Sequence, residues 1–219
     1  MFGETAIEQN TPPAFRLMLT LRRAGVSDAR VLAAFDQYSR ADFVDPAYAD
    51  LAHEDVPIPL PCGQVSLKPS VLAAMLEALH IAPDQCVLVV GAGTGYSAAV
   101  LSRLASEVVA LERFHTLRRA REDNIARAGL SNVSVHLADG YVFQSALKFD
   151  RVLITGAIAA PPPALLQALT AGGVLVAPLA SPAGVRIAAF RPTADGGVTR
   201  ADFLEVDIPP LEPGVAQRL

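Results

Sequence analysis

From Pro83 onward, short β-branched runs alternate with amphipathic stretches, and few folds accommodate that rhythm. Candidate strands are Val87–Val90, Val108–Glu112, Val133–Leu137, Arg151–Thr155 and Val174–Pro178, with helices expected near 96–105, 115–128 and 163–170. Strictly alternating strands and helices imply βαβ units, hence a doubly wound, mostly parallel α/β sheet covered on both faces. After Pro178 the helical pattern stops. Val185–Phe190 and Val198–Val206 flank Asp195-Gly196-Gly197, a hairpin signal that predicts an antiparallel C-terminal edge. With 219 residues the chain has enough material for one such domain and too little for two plus a linker.

We therefore read residues 1–219 as a single domain, with N-terminal helices and a loop over 1–82 and an α/β core over 83–219. Phe15, Met18, Leu19 and Arg22 mark an amphipathic helix ended by Gly25, and Ser27 offers an N-cap for a second helix carrying Val31, Leu32 and Phe35. Pro57, Pro59 and Pro61 exclude both helix and central strand, so 56–64 is expected to be an extended, ordered loop able to line a site. Pro69 suits the first turn of a helix through Val71, Leu72, Met75, Leu76 and Leu79. A hydrophobic content of 52% supports a sizeable core. The net charge of −4 argues against a nucleic-acid partner held by a broad basic face, and no apolar run is long enough to span a membrane. Residues 1–13 lack the basic start and apolar run of a leader, so a cytoplasmic location is expected. Cys62 and Cys86 have no metal-ligand spacing and read as reduced thiols.

The most informative stretch is Val87-Leu88-Val89-Val90-Gly91-Ala92-Gly93-Thr94-Gly95-Tyr96, a glycine-rich turn between a buried strand and a helix. Such glycines let backbone N–H groups approach a ligand closely. The dinucleotide fingerprint requires its third glycine three positions after the second; Tyr96 stands there instead, and pyrophosphate is disfavoured. Glu112 ends the second candidate strand, where a carboxylate can accept from the hydroxyls of a ribose. Asp139-Gly140 follows the third, at the same carboxyl edge of the sheet, where it can meet an adenine or simply make a turn. Together these strand ends favour an adenosine-containing cofactor without pyrophosphate, and S-adenosylmethionine fits best.

Over nearly its whole length the chain resembles the protein-L-isoaspartate O-methyltransferase family. The resemblance is carried by 25–34, by Arg40-Ala41-Asp42-Phe43-Val44, by 55–60 followed by Gly63-Gln64-Val65-Ser66-Leu67-Lys68-Pro69, by 93–101, and by the stretches 149–155, 165–169 and 172–178. It implies a carboxyl O-methyltransferase that uses S-adenosylmethionine on isoaspartyl residues of damaged peptides or proteins. Gly91, Gly93, Thr94, Gly95, Tyr96, Glu112, Asp139 and Gly140 would bind the cofactor, while Asp55, Gln64 and Thr155 would face the acceptor. The family's site serine falls on Leu67, which leaves the adjacent Ser66 as the candidate catalytic hydroxyl. The acid that the family carries two positions before the first loop glycine falls on Val89. Two alternatives stay open: a methyltransferase of the same fold with another acceptor, and a cofactor-binding protein without turnover. Methylating a carboxylate needs no strong base, because the nucleophile is already ionised. His53, His80, His115 and His136 accordingly read as surface or packed residues, and Arg118, Arg119 and Arg121 as a solvated helix face.

Overall fold

The computed structural model describes residues 12–216; most of the segment read for a leader lies outside them. Two helices, α1 (Pro13–Arg23) and α2 (Ala29–Gln37), are followed by short 3-10 turns at Arg40–Phe43, Pro46–Leu51 and Pro61–Gly63, and then by α3 (Pro69–Leu79). The core continues β1 (Cys86–Val90), α4 (Tyr96–Ser102), β2 (Glu107–Glu112), α5 (His115–Arg127), β3 (Val133–Leu137), β4 (Phe149–Ile154), α6 (Pro163–Gln167), β5 (Leu169–Ser181), β6 (Gly184–Pro192) and β7 (Val198–Val206). The seven strands lie in the order β3-β2-β1-β4-β5-β6-β7. Pairing is parallel from β3 through β5 and antiparallel from β5 through β7, as the change of rhythm after Pro178 implies.

Strand alternation sorts the core into two layers. Val87, Val89, Val108, Ala110 and Val176 face a cluster shared with α1, α2, α3 and α4. Leu88, Val90, Val109, Leu111 and Leu175 face the other, with Ile158 and Leu165 of the β4–α6 segment. Among the described residues no helix is long and apolar enough to cross a membrane.

Three local expectations need correction. The buried face of α1 is Leu17 and Leu21, while Phe15 and Leu19 are exposed. The N-cap of α2 is Asp28, whose side chain accepts from the Arg30 N–H; the neighbouring Ser27 N–H donates to Glu77 instead. The helix expected over 163–170 ends at Gln167, because Leu169 pairs with Phe149 and belongs to β5. For Ser27 and Leu169 a tertiary partner, Glu77 and Phe149 respectively, overrides the local signal.

Candidate cofactor cavity and acceptor loop

The carboxyl ends of β1, β2 and β4 open into a cavity of about 450 Å³, where doubly wound sheets bind ligands. One wall is the glycine turn. The Gly91 and Ala92 N–H groups both donate to Leu111 O at 3.1 Å, which ties the turn to the end of β2. Gly91 has φ +79°, and a Cβ there would lie 2.6 Å from Thr155 Oγ1, so the position accepts no side chain. Gly91, Gly93, Thr94, Tyr96 and Gly140 all line the cavity. Gly95 does not: with φ +103° it turns its Cα toward α5, where a Cβ would lie 2.7 Å from Arg121 Cγ. Tyr96 reaches past the loop to pack edge-on against Phe35 and tilted against Phe43, with ring centroids 6.0 and 5.7 Å away, and so links the N-terminal helices to the core.

Glu112 stands beside the turn at 5% exposure and lines the cavity. Its Oε2 accepts from the Gly93 N–H at 3.0 Å, and its Oε1 accepts from the N–H groups of Arg113 at 2.8 Å and Phe114 at 3.1 Å. Burial pushes the Glu112 carboxyl above its usual range, against the pull of the Phe114 N–H and the Arg121 guanidinium. A carboxylate offers about four acceptor directions, so three internal bonds still leave room for a ligand hydroxyl. The glycine cradle and this free direction fit an adenosyl group.

Other candidates are placed differently. Asp139 sits outside the cavity lining; its carboxylate accepts from Tyr141 N at 2.8 Å and from Gly214 N at 2.7 Å, so it orders the cavity's rim. Thr155 lines the cavity, but its hydroxyl is 2.6 Å from Gly91 O and braces the turn from below. Asp55 also lies outside this cavity: its carboxylate accepts from Ser70 N at 2.8 Å and Ser70 Oγ at 2.7 Å, at the start of α3. Gln64 lines the cavity, with its amide 3.3 Å from Cys62 O.

The proline-rich segment is extended only as far as Leu60. It then reverses through Pro61–Gly63, with Cys62 and Gly63 at positive φ, and Pro59 bridges back to Val65. The reversal sets Ser66 opposite Ile58, whose O accepts from the Ser66 N–H at 2.9 Å. Arg40, at 1% exposure, binds both arms: it donates to Val56 O and Leu67 O, each at 3.0 Å, and to Ser66 Oγ at 2.5 Å. Ser66 Oγ also accepts from Ile58 N at 3.0 Å, so this hydroxyl staples the loop. Ser66→Ala is expected to lower stability by roughly 1–2 kcal/mol, because it strands a buried donor; a thermal melt checks it.

Sequence reasoning missed two components. Arg121 is not solvated but fully buried. The segment 207–212 lines the cavity and crosses the strand ends as a strap: Leu211 N donates to Ala157 O at 2.7 Å, and Arg113 pairs with Glu212 at 2.6 Å. Its prolines and lack of periodicity gave no signal.

A family model described as protein-L-isoaspartate(D-aspartate) O-methyltransferase matches residues 14–213. The chain belongs to this family. Members similar to it include a protein-L-isoaspartate O-methyltransferase of Xanthobacter autotrophicus, 40% identical over 99% of both chains. Another, from Rhodopseudomonas palustris strain BisA53, is 40% identical over 95% of this chain and 98% of its own. Among solved structures, one described as a putative protein-L-isoaspartate O-methyltransferase of Plasmodium falciparum in complex with S-adenosyl-L-homocysteine superposes with a TM-score of 0.78. It covers 90% of this chain and 96% of that one at 19% identity, which shows a shared fold. For this protein-L-isoaspartate O-methyltransferase family member, the two departures now have places. Leu67 is half-buried and lines the cavity. Val89 is fully buried in the layer facing away from Val90, which does line it.

Proposed function

We propose that this chain is an S-adenosylmethionine-dependent carboxyl O-methyltransferase acting on L-isoaspartyl residues of damaged proteins or peptides. The observation that carries the reading is that the glycine turn and the proline-rich loop line one continuous cavity, so donor and acceptor share an enclosure. Family membership narrows the chemistry. Gly91, Gly93, Thr94, Tyr96, Gly140 and Glu112 would hold the cofactor, with Glu112 accepting from the ribose and Gly95 acting from behind the turn. Asp139 would act on the adenine end through the rim it orders, and Thr155 through the turn it braces. Gln64 would meet the peptide, whereas Asp55 and Ser66 would shape the loop that receives it.

S-adenosylmethionine supplies a methyl group carried on a positively charged sulfur. The acceptor carboxylate is ionised at neutral pH, so the chain's task is alignment and exclusion of water. Leu60, Leu67, Val90, Leu111 and Leu211 give the cavity its apolar lining. Because opposite charges vanish as a neutral ester forms, that dry wall favours the transition state over the charged ground state.

The test is transfer of labelled methyl, recovered in base-labile form, to an isoaspartyl peptide and not to its normal aspartyl counterpart. Labelling of neither peptide by protein that binds the cofactor sinks the assignment. Leu67 favours a second reading, the same reaction on another acceptor, since it presents no hydroxyl where the resemblance expects one. Leu67→Ser is accordingly expected to raise isoaspartyl turnover about tenfold, the value of one added hydrogen bond to a charged acceptor. Initial rates at saturating cofactor decide between the two.

A further inference from the structure

Arg121 is the most unusual side chain in the molecule. It is 0% exposed, and none of its three guanidinium nitrogens has a hydrogen-bond partner among the described residues. An unpaired buried cation is strongly unfavourable, so its retention calls for a compensating partner. Arg121 makes no ion pair among the described residues, so compensation comes through space from the charges around the glycine turn. Leu117, Arg121 and Asn124 fall on one stripe of α5, and all three meet the glycine turn or its cavity. Leu117 lines the cavity, Arg121 packs its stem against Gly95, and the Asn124 amide donates to Thr94 O at 3.0 Å. On the other side of the turn Glu112 grips the Gly93 N–H.

We infer that Arg121 is a positioning residue, a buried cation behind the glycine turn that keeps the Glu112 carboxylate ionised and thereby ready to accept from the cofactor ribose. The field between them runs through protein rather than water and is therefore weakly screened. Burial alone favours protonated Glu112; the Arg121 charge and the three N–H groups oppose it. Reciprocally, burial lowers the Arg121 guanidinium to about 10, and Glu112 is the anion that most supports its charge. Other ionisable groups that act on the pair are Cys62 in the acceptor loop, beside Glu112, and Glu122 and Arg118 on α5, of opposite effect on Arg121. Arg118 is itself paired with Glu122 at 2.7 Å, which leaves Glu112 as the anion without a salt-bridged cation on this side of the turn. The arrangement offers no space for an added anion, since Arg121 lines neither described cavity.

The inference rests on Glu112 as the ribose acceptor, and the experiment separates the two. S-adenosylhomocysteine affinity is measured by calorimetry from pH 5.5 to 8.5, in roughly half-unit steps, for the native chain, Glu112→Gln, Arg121→Met and Arg121→Lys. Loss of affinity in Glu112→Gln supports the acceptor assignment; unchanged affinity overturns it, and the inference with it. With that loss in hand, Arg121→Met is expected to bind progressively more weakly than the native chain toward the acid end and to recover toward native affinity at the alkaline end, because removing the cation raises Glu112 further and lowers its ionised fraction as pH falls. Arg121→Lys, which restores charge but not shape, should return the native profile. Native affinity in Arg121→Met at every pH, or a loss that is the same at every pH, overturns the inference alone. Should Arg121→Met fail to fold, Arg121→Gln, also neutral, takes its place under the same outcomes.

Discussion

Val89→Asp is expected to remove a large part of the protein's stability at neutral pH. The side chain is 0% exposed, its cross-strand neighbours Ala110 and Leu153 are equally buried, and the cluster around them is built of apolar side chains, while Arg151 on the same face of β4 already donates to Leu79 O and His80 O. An acid there must be buried unpaired or protonated, either of which costs about 3–5 kcal/mol. For a chain of this size that is roughly a 10 °C fall in melting temperature. The sign with pH is fixed. Burial raises the pKa of the new acid in the folded state, so the deficit is full at neutral pH and shrinks as pH falls through that raised value toward the unfolded one. Thermal melts at pH 7 and about pH 4.5 check both statements. A variant as stable as the native chain at pH 7, with tighter cofactor binding, would instead put residue 89 in reach of the ligand.

Arg40→Met carries the second large effect. It withdraws the donors that Val56 O, Leu67 O and Ser66 Oγ share, all within the loop that walls the cavity. Charged hydrogen bonds of this kind contribute about 1.5–3 kcal/mol each, partly offset by removing a buried charge, so a net loss of about 3 kcal/mol is expected. Under the proposed function activity should fall more steeply, by about a hundredfold, because the loop would align the acceptor while the glycine turn is built elsewhere. Cofactor affinity should change little. Arg40→Lys should not rescue, since one ammonium cannot fork between both arms. Kinetics and calorimetry on the same preparation test this, and equal losses of turnover and cofactor affinity would speak against a separate acceptor loop.

The strands were legible because β-branched residues cluster in them, and even the edge strands Val133–Leu137 and Val198–Val206, which are not buried on both faces, coincide with the sequence reading. The glycine turn was equally plain. What escaped was every feature decided by distant partners. Arg121 reads as solvent-facing beside Arg118 and Arg119, and only the missing side chain at Gly95 opens the space it fills. Arg40 was legible as a motif but not as a clamp, since its acceptors are backbone carbonyls that no sequence pattern marks. Asp139 was placed at the correct sheet edge, yet its bond to Gly214 depends on a segment that returns from the far end of the chain. Ser66 and Leu67 differ by one position, and the reversal at Pro61–Gly63 decides what each meets.

That returning segment also bears on biosynthesis. The glycine turn, Glu112 and the whole parallel part of the sheet are made before residue 182, but the cavity wall contributed by 207–212 emerges last from the ribosome. A nascent chain can therefore complete its central strands well before it can enclose a ligand. Cofactor binding is therefore expected only once synthesis has run through the strap. Chains released short of Asp207 should keep the parallel sheet while losing cofactor affinity, so that premature termination leaves a protein recognisable by its fold and silent in its chemistry.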